Sequence, residues 1–212
     1  MDPMTTPAEQ YAAAKRRNSH PLTLKFIEQF DFGFDEFQIA ACQAVEDGKG
    51  VLVAAPTGAG KTVVGEFAAF SALAHGKKCF YTTPIKALSN QKFAEFQERF
   101  GEDRVGLLTG DTNINSEADI LVMTTEVLRN MLYANSSTLK NLGSVVMDEV
   151  HYLADKFRGA VWEEVLIHLM ESVQVISLSA TVSNAEEFGE WLGEVRGATE
   201  VIVSEIRPIP LY

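Results

Sequence analysis

Two clusters in this 212-residue chain have the residue types and spacing that phosphate chemistry needs. The first, Ala55-Pro56-Thr57-Gly58-Ala59-Gly60-Lys61-Thr62, directly follows the apolar run Val51-Leu52-Val53-Ala54. A glycine-rich turn between a strand end and a helix start presents free backbone N–H groups and the positive end of the helix dipole, and both attract phosphate. In such a turn the backbone from Pro56 to Gly60 lines the phosphates, Lys61 reaches the terminal ones, and Thr62 offers its hydroxyl to Mg²⁺. Ala55 replaces the usual first glycine, a mild change because the tight backbone approach falls at Gly58 and Gly60. The second cluster, Asp148-Glu149-Val150-His151, follows the apolar Val145-Val146-Met147, which puts two carboxylates at the end of a neighbouring strand. One can hold the metal while the other orients or deprotonates water, as hydrolysis of a nucleoside triphosphate requires. The plainer readings are an ordinary glycine turn and a surface acidic pair. Both lose ground because each cluster sits where a strand is predicted to end.

The elements that must position these residues alternate along the chain. Strands are predicted over 51–54, 79–82, 105–108, 120–123, 145–147, 175–178 and 201–203, and helices over 37–46, 61–74, 86–100, 125–134, 161–171 and 185–191. That alternation predicts an α/β fold, a mostly parallel sheet with helices on both faces. Gly76 and Gly101 stand where helix C-terminal caps are expected, and Ser183-x-x-Glu186 has capping-box spacing. Residues 1–23, with Lys15-Arg16-Arg17 and no apolar period, read as an arm; 24–206 form the domain. Residues 207–212, opening Arg207-Pro208-Ile209-Pro210, read as the start of a linker.

Composition narrows the partners. With 46% hydrophobic residues the chain can bury a substantial core. Eighteen Lys and Arg against 29 Asp and Glu leave a net charge of −11, so bulk positive charge cannot hold this protein on nucleic acid. Any such contact must be local, through backbone amides, hydroxyls and a few cations. Cys42 and Cys79 lie in apolar contexts without metal spacing and read as buried free thiols of a cytoplasmic protein. No apolar run approaches a membrane-spanning length, so no membrane partner is expected.

The acidic tetrapeptide, taken with Thr83-Pro84-Ile85-Lys86-Ala87-Leu88, Thr109-Gly110-Asp111, Thr124-Thr125-Glu126 and Ser179-Ala180-Thr181, resembles the ordered motif series of superfamily-two DExH-box helicases. Arg158-Gly159-Ala160-Val161-Trp162-Glu163-Glu164 and Arg207-Pro208-Ile209-Pro210 are similar to the Ski-two-like branch. The likeness runs from about Phe26 to the C-terminus. It implies a first RecA-like (P-loop NTPase) domain of an ATP-dependent helicase that translocates 3′-to-5′ on single-stranded nucleic acid, RNA favoured over DNA. It also implies ATP and Mg²⁺ as cofactors and a second RecA-like domain as partner. That second domain would carry the arginine finger, whose absence costs on the order of 10³-fold or more in turnover, so residues 1–212 alone are expected to be weak or inactive.

Residue by residue, the resemblance implies that Lys61 stabilises the β/γ-phosphates, Thr62 and Asp148 hold Mg²⁺, and Glu149 activates water. Gln38 would read adenine, although Asp35-x-x-Gln38 is also a capping-box spacing. Phe32 or Phe34 would stack on the base, and either could instead belong to the core. Pro84, Lys86, Gly110, Asp111, Thr124 and Thr125 would hold the sugar-phosphate backbone; Thr125 could equally cap its helix, and Lys86 could be a solvated lysine. His151, Ser179 and Thr181 would couple the two sites, His151 having a structural alternative. Trp162 reads as core. Two other functions stay open: a DNA helicase of the same branch, and a binding module with an idle nucleotide pocket.

Overall fold

A computed structural model describes residues 19–150, 159–180 and 185–205. His151, Arg158, Thr181, Ser183 with its proposed capping box, the expected linker from Arg207 onward, and residues 1–18 of the expected arm lie outside the described residues.

The elements run α1 (Pro21–Ile27), α2 (Glu36–Glu46), β1 (Gly50–Ala54), α3 (Thr62–Ala74), β2 (Lys78–Thr83), α4 (Lys86–Phe100) and β3 (Val105–Leu108). They continue with β4 (Asn113–Ile114), β5 (Ile120–Thr124), α5 (Thr125–Tyr133), β6 (Leu142–Met147), α6 (Gly159–His168), β7 (Gln174–Ser179), α7 (Ala185–Arg196) and β8 (Thr199–Val203). All eight strands form one sheet in the order β4-β3-β5-β2-β6-β7-β1-β8, parallel except for the β3–β4 pair. The seven predicted strands are all present. The additional β4 is two exposed residues held on the antiparallel edge, too short to give a periodic signal.

Alternation within each strand divides the core between the two faces. Val51, Val53, Cys79, Tyr81, Ile120, Val122, Val146, Ile176 and Leu178 face α1–α4. Leu52, Phe80, Leu121, Met123, Val145, Met147 and Val175 face α5–α7, where Trp162 is buried as expected. Both cysteines are buried and free. Burial pushes the Cys79 thiol up to about 12 and the Cys42 thiol higher still, so neither is poised as a nucleophile.

Two connections hold the frame. The Glu46 carboxylate, at the end of α2, accepts from Leu22 N, Thr23 N and Thr23 Oγ1 at 2.9, 2.8 and 2.7 Å. It satisfies the orphan N–H groups of α1 and complements that helix's dipole. The boundary expected before Leu24 falls within this helix, whose Leu22 and Phe26 both pack on the core. The second connection is Arg196. Its Nη1 donates to Leu169 O at 2.7 Å, and its Nη2 to Met170 O and Val173 O at 2.7 and 2.8 Å, gathering carbonyls of the turn that follows α6. Arg196→Ala would leave those acceptors short of donors, and α6 and α7 would lose their staple. The expected cost is about 2–3 kcal/mol, a fall in Tm of roughly 5–10 °C by thermal unfolding; an unchanged Tm would show that the carbonyls find water instead.

Candidate functional site

The C-terminal ends of the parallel strands form one edge, where open α/β sheets bind ligands. The glycine-rich turn leaves β1 there and the acidic pair leaves β6, but the two strands are not neighbours. β7 lies between them, paired with β1 through Ala54↔Ser179 and with β6 through Met147↔Ser177. Ser179 thus ends between the two clusters, and its carbonyl accepts the Ala55 N–H at 3.1 Å. Strand order reflects where each crossover helix packs, which no local pattern states.

In the turn, Gly58 and Gly60 adopt φ of +84° and +79°, left-handed values that glycine accepts without strain. Thr57 and Gly58 are exposed, so the loop opens to solvent. Lys61 sits at the N-cap of α3, nearly buried, and its ammonium donates to Ala55 O at 2.6 Å and Pro56 O at 2.9 Å. Burial pulls its pKa below the ordinary lysine value, against the attraction of Glu149 and Asp148. The lysine is therefore an inward-turned charge that phosphate oxygens can recruit. Thr62, first in α3, accepts from Lys92 Nζ of α4 at 3.1 Å, and that ammonium also pairs with Glu95 at 2.7 Å.

Asp148 is buried and held on three sides. Its N–H donates to Thr82 O, its Oδ1 accepts the Glu149 N–H at 2.9 Å, and its Oδ2 accepts the Tyr81 hydroxyl at 2.6 Å. Burial, then the Asp148 charge, raises the Tyr81 phenol well above its ordinary value, so it is the donor. Glu149 has φ +58°, a conformation that costs a non-glycine residue about 1–2 kcal/mol and turns the chain sharply off the strand.

Upstream, Gln38 is buried and both ends of its amide are engaged. Oε1 accepts the Asp35 N–H at 2.8 Å, the capping-box contact, while Nε2 donates to Gly60 O at 3.1 Å. A Cβ on Gly60 would stand 2.6 Å from that Nε2 and would displace the amide from its carbonyl, beside the strain a side chain would meet at this φ. Gln38 thus ties Asp35, at the start of α2, to the glycine-rich turn. Phe34 is half-buried in an aromatic group with Phe26 and Phe30. Phe32 stacks on Phe34 at 5.8 Å and is 56% exposed, which leaves its ring available to a ligand.

The remaining candidates fall on the other half of the edge, after β3, β5 and β2, which are adjacent in that order. Lys86 Nζ lies 2.6 Å from Asp111 Oδ2, so it is paired rather than simply solvated. That bond and one from Thr109 hold the Asp111 carboxyl below the usual range. Gly110 precedes Asp111 on the same exposed turn, and Pro84 lies between Thr83 and the start of α4. Thr124, not Thr125, is the N-cap of α5. The Thr125 hydroxyl instead donates to Thr83 O at 3.3 Å, joining a buried group in which Thr83 Oγ1 bonds Ser89 Oγ at 2.8 Å.

Thr62 and Asp148 supply a hydroxyl and a carboxylate oxygen, hard donors of the kind Mg²⁺ takes while keeping most of its water. The Lys92 ammonium on Thr62 shows that the hydroxyl already accepts a cation beside it. Among the described residues there is no group of three or more His, Cys, Asp or Glu able to cage a metal. The donors fit an ion shared with phosphate. Two residues of this site carry no signal in the sequence: Tyr81 reads as a core aromatic of a strand, and Lys92 as one more helix lysine.

A doubly wound sheet with a glycine-rich lysine turn and an acidic pair at its strand ends is the RecA-like architecture of a P-loop NTPase domain. The sequence model of the DEAD/DEAH box helicase family matches residues 35–188, and the chain belongs to that family. Within it the chain is similar to the probable helicase HelY of Mycobacterium leprae, at 62% identity over 188 residues that cover 89% of this chain and 20% of that protein. It is 44% identical to the antiviral helicase SKI2 of Saccharomyces cerevisiae, over 98% of this chain and 17% of that protein. The chain therefore spans about a fifth of the length of the curated relatives it matches. Among solved structures, the Mycobacterium smegmatis helicase Lhr bound to ssDNA and AMP-PNP superposes with a TM-score of 0.72 at 30% identity, covering 86% of this chain and 27% of that one.

Proposed function

We propose that this chain is the ATP-binding RecA-like domain of an ATP-dependent RNA helicase of the Ski-two-like branch, hydrolysing ATP to move 3′-to-5′ and unwind its substrate. One observation carries the reading: a single sheet edge holds the phosphate turn and acidic pair on its β1–β7–β6 half and the exposed Lys86–Asp111 pair and strand-end threonines on its β2–β5–β3 half. In this reading Lys61 grips the terminal phosphates, Thr62 and Asp148 hold Mg²⁺, and Glu149 orients the attacking water. Bound there, Mg²⁺ would neutralise charge on the phosphate oxygens. Phe32 stacks on adenine, and Gln38 reads the base edge once its amide leaves Gly60. Lys86, with Pro84, Gly110 and Thr124, contacts backbone phosphates without reading bases, while Asp111 orients the Lys86 ammonium and Thr125 acts from its buried position through Thr83. His151, Ser179 and Thr181 transmit between the halves, supported by the Ser179–Ala55 bond. A second RecA-like domain completes the machine, and the buried thiols suit a reducing cytoplasm.

A protein containing both domains is expected to show greater ATPase stimulation by single-stranded RNA than by DNA of matched sequence, and to unwind duplexes with 3′ overhangs. Equal stimulation would remove the preference for RNA. The DNA reading has one observation in its favour, the similarity to Lhr, whose structure contains ssDNA.

A further inference from the structure

We propose that Tyr81 is a positioning residue for Asp148: its buried hydroxyl fixes the carboxylate in the orientation that presents the remaining lone pairs to a magnesium nucleotide. The proposal rests on the reading of the strand-end site as a nucleotide site.

Tyr81 lies in β2, between β5 and β6, with no exposed surface. Its ring packs on Phe96 at a centroid distance of 5.0 Å. A ring that only filled volume would need no hydroxyl, and a hydroxyl buried this deeply must find a partner. The partner is the strand-end carboxylate, at 2.6 Å. Rotation about an aspartate's last bond is soft, so one hydrogen bond leaves the carboxylate plane free to turn. Here each oxygen has its own donor, Glu149 N–H on Oδ1 and Tyr81 O–H on Oδ2, one from the main chain and one from the core.

The molecule also keeps room for this contact. Gly65 stands inside α3, where glycine costs about 1 kcal/mol relative to alanine. A Cβ there would lie 2.7 Å from Tyr81 Cε2 and 3.3 Å from Val146 Cγ1, pushing the ring away from the position in which its hydroxyl meets Asp148. Partners that orient a metal ligand commonly matter about 10- to 100-fold in metal affinity.

The test is ADP binding to the 212-residue chain with and without Mg²⁺, measured by calorimetry for wild type, Tyr81→Phe, Asp148→Asn and the double variant. Tyr81→Phe is expected to reduce the Mg²⁺-dependent gain in ADP affinity about tenfold, leave metal-free ADP binding unchanged, and add nothing on top of Asp148→Asn. A wild-type Mg²⁺ effect in Tyr81→Phe would overturn the proposal. So would an equal loss with and without Mg²⁺, which would mark a packing role. Absence of Mg²⁺-dependent binding in the wild type would instead sink the reading of the site, and the proposal with it.

Discussion

Glu149→Gln, in a protein that contains both RecA-like domains, is expected to lower kcat for ATP hydrolysis at least about 100-fold while nucleotide affinity stays near wild type. The magnitude is that of removing a positioned general base, which typically costs about 10²–10⁴-fold. Glutamine keeps the size and hydrogen-bonding reach of the side chain and loses the charge that orients and accepts from water. The location supports the assignment: Glu149 holds a left-handed φ of +58° directly after a buried carboxylate, and backbone strain of this kind concentrates at functional sites. Steady-state ATPase rates beside equilibrium nucleotide binding check the prediction. An unchanged rate would favour the binding-module reading, with the acidic pair serving only to hold a metal.

Lys61→Met should weaken binding of the magnesium nucleotide about 100-fold or more, with little change in Tm. Charge-assisted hydrogen bonds from the Lys61 ammonium to phosphate oxygens are worth about 1.5–3 kcal/mol each, so losing more than one of them costs about 100-fold or more in affinity. Its contribution to the free protein is small because two effects oppose: methionine leaves Ala55 O and Pro56 O without their donor, yet it also removes a charge that burial disfavours. Lys61→Arg should not rescue, since the planar guanidinium is bulkier than a point charge inside a turn built on two left-handed glycines. Calorimetric titration with Mg·ADP beside thermal unfolding separates the effects. Retained affinity in Lys61→Met would show that the loop amides suffice, and a large fall in Tm would make Lys61 a structural residue.

The architecture is largely legible in the sequence because its signals are local. Each central strand is a short apolar run, buried on both faces, and several helices open or close on a recognisable residue; α4 spans 86–100 as expected, ending at Gly101 with φ +95°. Sequence and structure part where a distant group decides. The helix α1 is capped by Glu46 of another helix, and Thr125 is drawn to the carbonyl of Thr83 on β2, leaving Thr124 as the cap. The capping-box spacing of Gln38 is realised, but the other half of the amide holds Gly60, 22 residues away.

By itself, then, the sequence determined the class of fold and the residues of the candidate site: a glycine turn, a lysine, a hydroxyl and two carboxylates, each at the end of an apolar run whose length and composition make it a strand. Those depend on covalent neighbours and on burial period, which a linear chain carries directly. The tertiary structure alone decided the order of the strands, and with it that β7 separates the phosphate turn from the acidic pair and sets Ser179 between them. It also decided that Tyr81 is more than a core aromatic and that Gly65 leaves space for its ring. Contacts of that kind join residues far apart in the chain, and they are set by how helices pack across the sheet.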